Sequence, residues 1–591
     1  YRNLRENKKD RFMLNASLSY DILDWLSVSG RIRMDQSITN YTEKYYASTF
    51  TQLTELSNNG LYGISTMKDR QIYADALVNI NKRFGDDWTL QANIGASISD
   101  MSYDALKNRG PIADGQITDE KPGLANVFNV QNLSNSAKTS RMQEGWREQT
   151  QSIFGSAEVG FKGAYYLTVT ARNDWPSQLA GPHSNKKSFF YPSVGASVVL
   201  SQIIPNMPKN LEYVKLRASY ASVGTAFERY IANPQYKWNS SGLSWNTQTQ
   251  YPMYDLKPEL TNSFEVGLSM RFLKWFNMDV TYYHTNTLNQ TFNPQISTGS
   301  GSSEIFIQSG NVLNQGCEFT LGFEKDWNIF NWASNFTFST NQNKIVSLAE
   351  NVLNAATGEY FSVDLLDMNG LGRAHFLLKE GGTLGDLYSL VDYNYDSNGM
   401  IIINEDGTTT TNVITDAKDY VKLGSVLPKA NLSWRNDFRI QNFNFGFLVT
   451  ARIGGIVYSS TQAVLDYYGV SEASAAARDA GGVFINGGDC VDANKWYSSV
   501  GGSNPLPQEY TYSATNVRLQ EASIGYTFPR KMLGNVCDLN LSLVGRNLLM
   551  IYNKAPFDPE AVATTGNYYQ GIDHFMMPAL RNFGFNVRIT F

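Results

Sequence analysis

Near the C-terminal end, large apolar side chains recur at every second position. Phe583, Phe585, Val587, Ile589 and Phe591 fall on one face, and Gly584, Asn586, Arg588 and Thr590 on the other. Strict alternation marks a β-strand with one apolar and one polar face. One such segment would suit a soluble sandwich equally well, so its repetition carries the weight. Phe276, Met278, Val280 and Tyr282 alternate with Asn277, Asp279, Thr281 and Tyr283. The same period runs through Tyr165, Leu167, Val169 and Ala171, through Val214, Leu216, Ala218 and Tyr220, through Leu539, Leu541 and Leu543, and through Phe443, Phe445, Phe447 and Val449. Read along the whole chain, the pattern predicts strands near 11–20, 25–35, 70–83, 88–98, 148–161, 164–173, 189–200, 213–222, 260–271, 276–286, 312–324, 331–342, 429–440, 443–452, 515–528, 538–549 and 579–591.

The polar faces include Arg, Lys and Asp in mid-strand. Facing hydrocarbon, an Arg or Lys would cost ~2–4 kcal/mol. The pattern therefore predicts that these faces line a lumen and that the apolar faces meet lipid. Connections alternate in length. Short ones at 21–24, 85–87, 162–163, 273–275, 326–330 and 441–442 separate long ones at 37–69, 100–146, 223–259, 343–428, 453–513 and 550–578. Short periplasmic turns and long extracellular loops are the asymmetry of an outer-membrane barrel. The expected fold is an all-β transmembrane antiparallel barrel over 1–591, with 343–428 and 453–513 as its longest extracellular loops. An odd strand number is at odds with the even count of bacterial single-chain barrels. The expectation is that strands precede Tyr1.

Composition sharpens this picture. Charged residues are 17% of the 591, below the roughly 25% of an average soluble chain, while aromatics reach 13% and mean hydropathy is −0.32. An apolar band, aromatic girdles and polar loops give such a balance. Trp25, Trp88, Trp275 and Trp332 stand at strand ends, where a girdle would lie. No stretch approaches the ~18 apolar residues of a membrane helix. The net charge of −5 argues against a nucleic-acid partner. No secretory signal pattern is visible at Tyr1.

Several segments together identify a family. In order they are SFFYPSVGASVVLSQ (188–202), LEYVKLRASYASVG (211–224), LKPELTNSFEVGLSMRF (256–272), MDVTYYHTNT (278–287), NQGCEFTLGFEKDW (314–327), NFTFSTNQNKIVSL (335–348), VRLQEASIGYTFPRKML (517–533), LSLVGRNLLMIYNKAPFDPE (541–560) and ALRNFGFNVRITF (579–591). With these motifs the chain resembles the C-terminal barrel region of the SusC/RagA family, TonB-dependent transporters of Bacteroidota. The resemblance implies a barrel of 22 strands around an N-terminal plug, of which the plug and about five strands would precede Tyr1. It implies an outer-membrane location and energy from the TonB complex. It also implies a SusD-like surface lipoprotein as lid, and import of oligosaccharides or peptides without chemical change. A passive porin, a surface adhesin and a soluble β-rich binding protein are the competing functions.

Candidate chemistry is sparse. No GxSxG, HExxH, P-loop or paired CxxC occurs, so no enzyme is expected. His183, His284, His375 and His574 lack metal-ligand spacing and read as ordinary surface, lumen or loop residues. Asp392, Asn394 and Asp396 alternate, with Asn398 and Gly399 following, like the start of a calcium loop. The twelfth position is Ile403 rather than Glu, so a loop hairpin competes with a calcium site. Cys317, Cys490 and Cys537 are expected as free thiols. Trp238, Trp245, Tyr467, Tyr468, Trp496, Tyr497, Tyr568 and Tyr569 are candidate substrate contacts, since aromatic faces stack on sugars and side chains. Packing between loops, or against a lid protein, is the competing role. Phe583, Phe585 and Phe591 resemble the terminal aromatic signal read by the barrel-assembly machinery.

Overall fold

The computed structural model describes residues 3–118, 121–181, 187–231, 237–239, 244–246, 257–293, 306–353, 359–564, 566 and 569–591. The chain divides into two compact units. The first is Tyr1–Val194 with Ala221–Leu260 and Ile296–Phe306, and the second is Gly195–Tyr220 with Thr261–Gln295 and Ile307–Phe591.

The first unit is an antiparallel meander of β1 (Leu4–Leu23), β2 (Leu26–Tyr46), β3 (Gly60–Phe84), β4 (Trp88–Pro111), β5 (Ser140–Phe161) and β6 (Tyr165–Pro176). Each pairs with the next. Strands β7 (Phe189–Val199), β8 (Leu211–Thr225) and β9 (Glu259–Phe272) have residues in both units. The second unit continues the up-and-down pattern with β10 (Phe276–Phe292), β11 (Ile307–Asp326), β12 (Phe330–Ser347), β13 (Ala430–Ile440), β14 (Phe443–Ile453), β15 (Asn516–Phe528), β16 (Asp538–Asn553) and β17 (Asn582–Thr590). These pair successively, again antiparallel.

The short connections are tight because their backbones turn left-handed. Lys162 and Gly163 have φ of 52° and 63°, and the Ala164 amide closes the turn on the Phe161 carbonyl at 3.0 Å. Two consecutive positive φ values give a hairpin twist that matches the strands it joins. Leu273 and Lys274 do the same without a glycine.

The strands outrun the alternation that announces them. β3 begins at Gly60 and β5 at Ser140, each some eight or ten residues beyond the period-2 core. The long connections are themselves folded. Within 343–428, Leu365–Leu371, Ala374–Lys379, Asp386–Ser389 and Val421–Ser425 form a four-stranded sheet. Within 453–513 lie three helices, α1 (Ser460–Tyr467), α2 (Glu472–Asp479) and α3 (Ala493–Val500), each capped by a side chain: Ser459, Ser471 and Asp492. The principal buried cluster of the second unit sits here, around Phe376, Leu387, Val391, Tyr458, Trp496 and Tyr510. In the first unit the buried clusters also gather at the long connections, around Leu179, Phe189 and Phe227, and around Tyr62, Ile112 and Leu133.

Candidate functional site

Strand register sorts side chains into rows that run across each sheet. In the second unit Trp332, Phe438, Phe445, Ile524, Leu543 and Phe585 stand directly opposite one another on successive strands. The next residues along the same strands form the row Asp326, Asn331, Arg439, Asn444, Gly525, Ser542 and Asn586. Neighbours along a strand point to opposite faces. From β12 to β17 one face is thus apolar where the other is polar or glycine, and on β11 the neighbour of Trp332 on the apolar side is Lys325. The apolar face is not buried, with Leu543 at 65% and Phe585 at 80% of full exposure. A water-soluble sheet buries its apolar face, and an exposed apolar patch of this extent marks a surface made for another apolar phase.

The first unit repeats the arrangement. Ser17, Arg31, Asp75, Ser97, Ser152 and Asp174 form one row. The flanking row on the other face is Ala16, Ile32, Ala74, Ile98, Gln151 and Trp175, apolar except for Gln151. Aromatics crowd the short-turn end. Trp88 lies 4.5 Å from Phe161, and in the second unit Phe276, Phe323, Trp332 and Phe438 follow at 5.0, 4.8 and 6.0 Å. The Lys325 ammonium sits 3.4 Å from the Trp275 ring centroid. Packed rings with a cation over a ring face suit an interfacial girdle.

The polar faces are knit by charge-assisted hydrogen bonds. Arg31 donates twice to Asp75, at 2.6 and 2.8 Å. Arg172 donates to Asp174 and to Ser152, both at 2.8 Å, and the Tyr191 hydroxyl donates to the second Asp174 oxygen. In the second unit Arg217 clamps Asp279 with two bonds of 2.7 and 2.9 Å, braced by Ser269 and Thr281. Asp75 retains only 1% of its side-chain exposure. A carboxylate so buried is tolerated because it is paired. Such a lattice offers alternating donors and acceptors to a polar solute. None of these groups forms a nucleophile-and-base pair.

The folded long connections contribute a second surface. Trp496 retains 3% exposure inside their core and stacks on Tyr393 at 6.1 Å, so it packs loops together rather than facing solvent. Tyr497 packs against the same cluster. Tyr467 and Tyr468, at the end of α1, are exposed and meet edge to face at 5.2 Å. Trp238 stands opposite Trp245 in a short hairpin, and the Trp245 side chain is exposed. Tyr569 is exposed and meets Phe376 edge-on. Tyr568 and His183 lie outside the described residues. Burial raises the Glu509 carboxyl, which accepts a 2.6 Å bond from Tyr393, and burial likewise raises Asp466.

The calcium-loop candidates do not converge. Asp396 accepts from the backbone amides of Asn398 and Met400, and these amide bonds hold its pKa low. Asp392 accepts from the Tyr393 amide and from Gln508, and Asn394 donates to Thr410. A turn that satisfies itself is what these residues build. Among the described residues no cluster of three or more His, Cys, Asp or Glu could hold a metal ion. Phe583, Phe585 and Phe591 all project from the exposed apolar face, at 78%, 80% and 82% exposure.

The chain belongs to the family described as TonB dependent receptor-like, beta-barrel, whose model matches residues 1–424. TonB-dependent receptor P3 of Formosa agariphila is 23% identical, over 99% of this chain and 58% of that protein. TonB-dependent receptor P26 of the same organism is 24% identical, over 93% and 56%. The chain thus spans somewhat over half the length of these curated relatives. The RagAB peptide importer in its open–open state superposes with a TM-score of 0.77 at 14% identity, over all of this chain and 62% of that one. Its closed–closed state gives 0.73 at 15% identity. At these identities the likeness is one of fold.

Proposed function

We propose that this chain is the wall of an outer-membrane transporter that imports oligosaccharides or peptides, drawing energy through TonB and working with a SusD-like surface lipoprotein. The observation that carries the proposal is the pairing of an exposed apolar row with a charged polar row across the same strands. That inside-out polarity suits a lipid boundary outside and a watery passage inside. Membership of the TonB-dependent receptor family supports active import over passive flow. The passage side carries fixed, paired charges such as Arg31–Asp75 and Arg217–Asp279, suited to hydrogen-bonding solutes rather than to covalent chemistry. The exposed Tyr467, Tyr468 and Trp245 are available to contact substrate or the lid protein. Phe591 and the apolar face of β17 serve as the signal for barrel assembly.

Uptake by cells making the full-length protein tests this. Accumulation of a labelled oligomer should cease when TonB is removed and when the lipoprotein partner is deleted. Uptake that persists without TonB would identify a passive pore instead. Mass spectrometry of ligand co-purified with the intact complex would decide between glycan and peptide.

A further inference from the structure

The exposed apolar face of the first unit is not uniformly convex. A depression of about 1140 Å³ opens among β3, β4, β5 and the turn after β6. Register places it on the apolar side. Ala74, Ile98, Gln151 and Trp175 come from one outward row, and Ala76, Ala96 and Ile153 from the next. Three alanines make the floor, where the neighbouring outward positions carry larger side chains such as Val78 and Ile94. Ile98, Ile153 and Trp175 stand up as walls, each substantially exposed. A groove with methyl-lined floor and aliphatic and indole walls fits a hydrocarbon chain.

One end of this groove is polar. Gln149, Ser177 and Lys187 line it, and Lys187 donates to the Gly181 carbonyl at 2.7 Å. Rows on one face follow every two residues, roughly 6.6–6.8 Å apart along a strand. One row beyond the groove, toward the long connections, the outward side chains are Ile72, Asp100 and Gln149, and one row further they are Arg70, Ser102 and Arg147. Lys68 and Asp104 follow. The face therefore turns from apolar to charged within about 13 Å of the alanine floor. On β3, β4 and β5 at that boundary three cations (Lys68, Arg70 and Arg147) face two carboxylates (Asp100 and Asp104). Asp100 is already engaged by Arg147 at 2.7 Å and by Gln149 at 3.0 Å. Arg70 acts electrostatically on Asp100 and Lys68 stands opposite Asp104 in register, but neither makes a direct ion pair there among the described residues. The cationic surplus stands where lipid headgroups would lie.

We infer that this groove is a specific site for one membrane lipid with a phosphorylated, anionic headgroup, its acyl chain on the alanine floor and its phosphate against Arg70 and Lys68. The inference rests on the outer-membrane reading, which makes this face the lipid boundary. Phosphate favours guanidinium and ammonium partners that are not already neutralised. A zwitterionic lipid would fill the same groove but gain less at the rim.

Native mass spectrometry of the purified full-length protein tests the site, using dioleoyl phosphatidic acid and dioleoyl phosphatidylcholine as probes. The parent protein should retain phosphatidic acid several-fold better than phosphatidylcholine. Ala96→Trp, which fills the floor with a side chain lipid tolerates, should reduce retention of both several-fold. The pair Lys68→Gln and Arg70→Gln, on the surface, should leave phosphatidylcholine unchanged and remove the preference. Equal retention of the two lipids by the parent, or undiminished retention by Ala96→Trp, overturns the proposal. Membrane fractionation separates the two readings. Protein found in the outer membrane with no lipid preference refutes the lipid site alone, whereas protein absent from the outer membrane refutes both.

Discussion

Trp496 and Glu509 show how the long connections of the second unit are held. Trp496 fills the core between the helices and the small sheets, against Tyr393 and beside Val500 and Tyr510. Replacing it with Ala removes an indole and leaves a cavity, a change that costs about 3–5 kcal/mol in other cores. Trp496→Ala should therefore open 453–513 to limited proteolysis while leaving the long strands protected. Glu509 adds a pH dependence. Burial raises its pKa above the usual 4.5, and the same cause raises Asp466 above 3.8. A carboxyl raised in the folded state binds its proton more tightly there than in the unfolded chain. Its contribution to stability is complete below the unfolded value and fades as pH rises through the raised one. The outer assembly should accordingly gain protection on mild acidification from pH 7. Hydrogen exchange, corrected for the intrinsic pH effect, measures this, and Glu509→Gln should weaken the dependence while keeping an acceptor for Tyr393. Asp396 and Asp406, lowered by amide and Thr408 hydrogen bonds, act with the opposite sign.

At the scale of elements, the strands were legible in the sequence wherever one face meets the apolar phase. Phe443, Phe445 and Phe447 announce β14, and Leu539, Leu541 and Leu543 announce β16, because hydrocarbon tolerates few charges on that face. Strands β3 and β5 run well beyond the alternation at their far ends. Around Lys68, Arg70 and Arg147 both faces turn polar, so period two persists in the backbone without a hydrophobic trace. The three helices went unseen for a different reason. Each has eight residues, about two turns, too few for a 3.6-residue period to emerge. Their caps at Ser459, Ser471 and Asp492 were the available signal. The candidate aromatics illustrate a limit of composition: Trp496 and Tyr468 look alike in sequence, yet one is core and the other is exposed. The polar lattice was foreseeable as a face but not as pairs, since Arg217 and Asp279 meet only through the register of three strands. A strand-level prediction follows. Leu543 points outward and Ser542 inward on adjacent positions of β16. Leu543→Arg should cost ~2–4 kcal/mol and lower outer-membrane levels, whereas Ser542→Arg should be tolerated. Heat-modifiable gel mobility and membrane yield report both, and equal damage from the two would contradict the assigned faces.

At the scale of the whole molecule, the two ends of the strands differ in kind within each unit taken by itself. One end carries turns of a few residues with left-handed backbone and a rim of aromatics. The other carries folded connections with buried cores of their own. Chain crossing to a cell surface can support such built structure, and the short turns need only reverse direction. This fixes an expected orientation for each unit separately. In the first unit, the connection between β2 and β3 should face outward and the Lys162–Gly163 turn inward. In the second, Gly399, left-handed at φ 78° in an exposed turn, should face outward. The Gly534–Cys537 turn should face inward. Peptide epitopes inserted after Gly399 or after Asn58 should be detected by antibody on intact cells. Epitopes after Gly163 or Gly534 should be detected only once the outer membrane is permeabilised. The comparison holds in each unit independently, because each supplies one site of either kind. Surface detection at Gly163 together with none at Asn58 would invert the first unit. The same reversal between Gly534 and Gly399 would invert the second, whereas the reversal in the first unit alone would move the charged rim above Ala74 and Ala96 away from the outer leaflet.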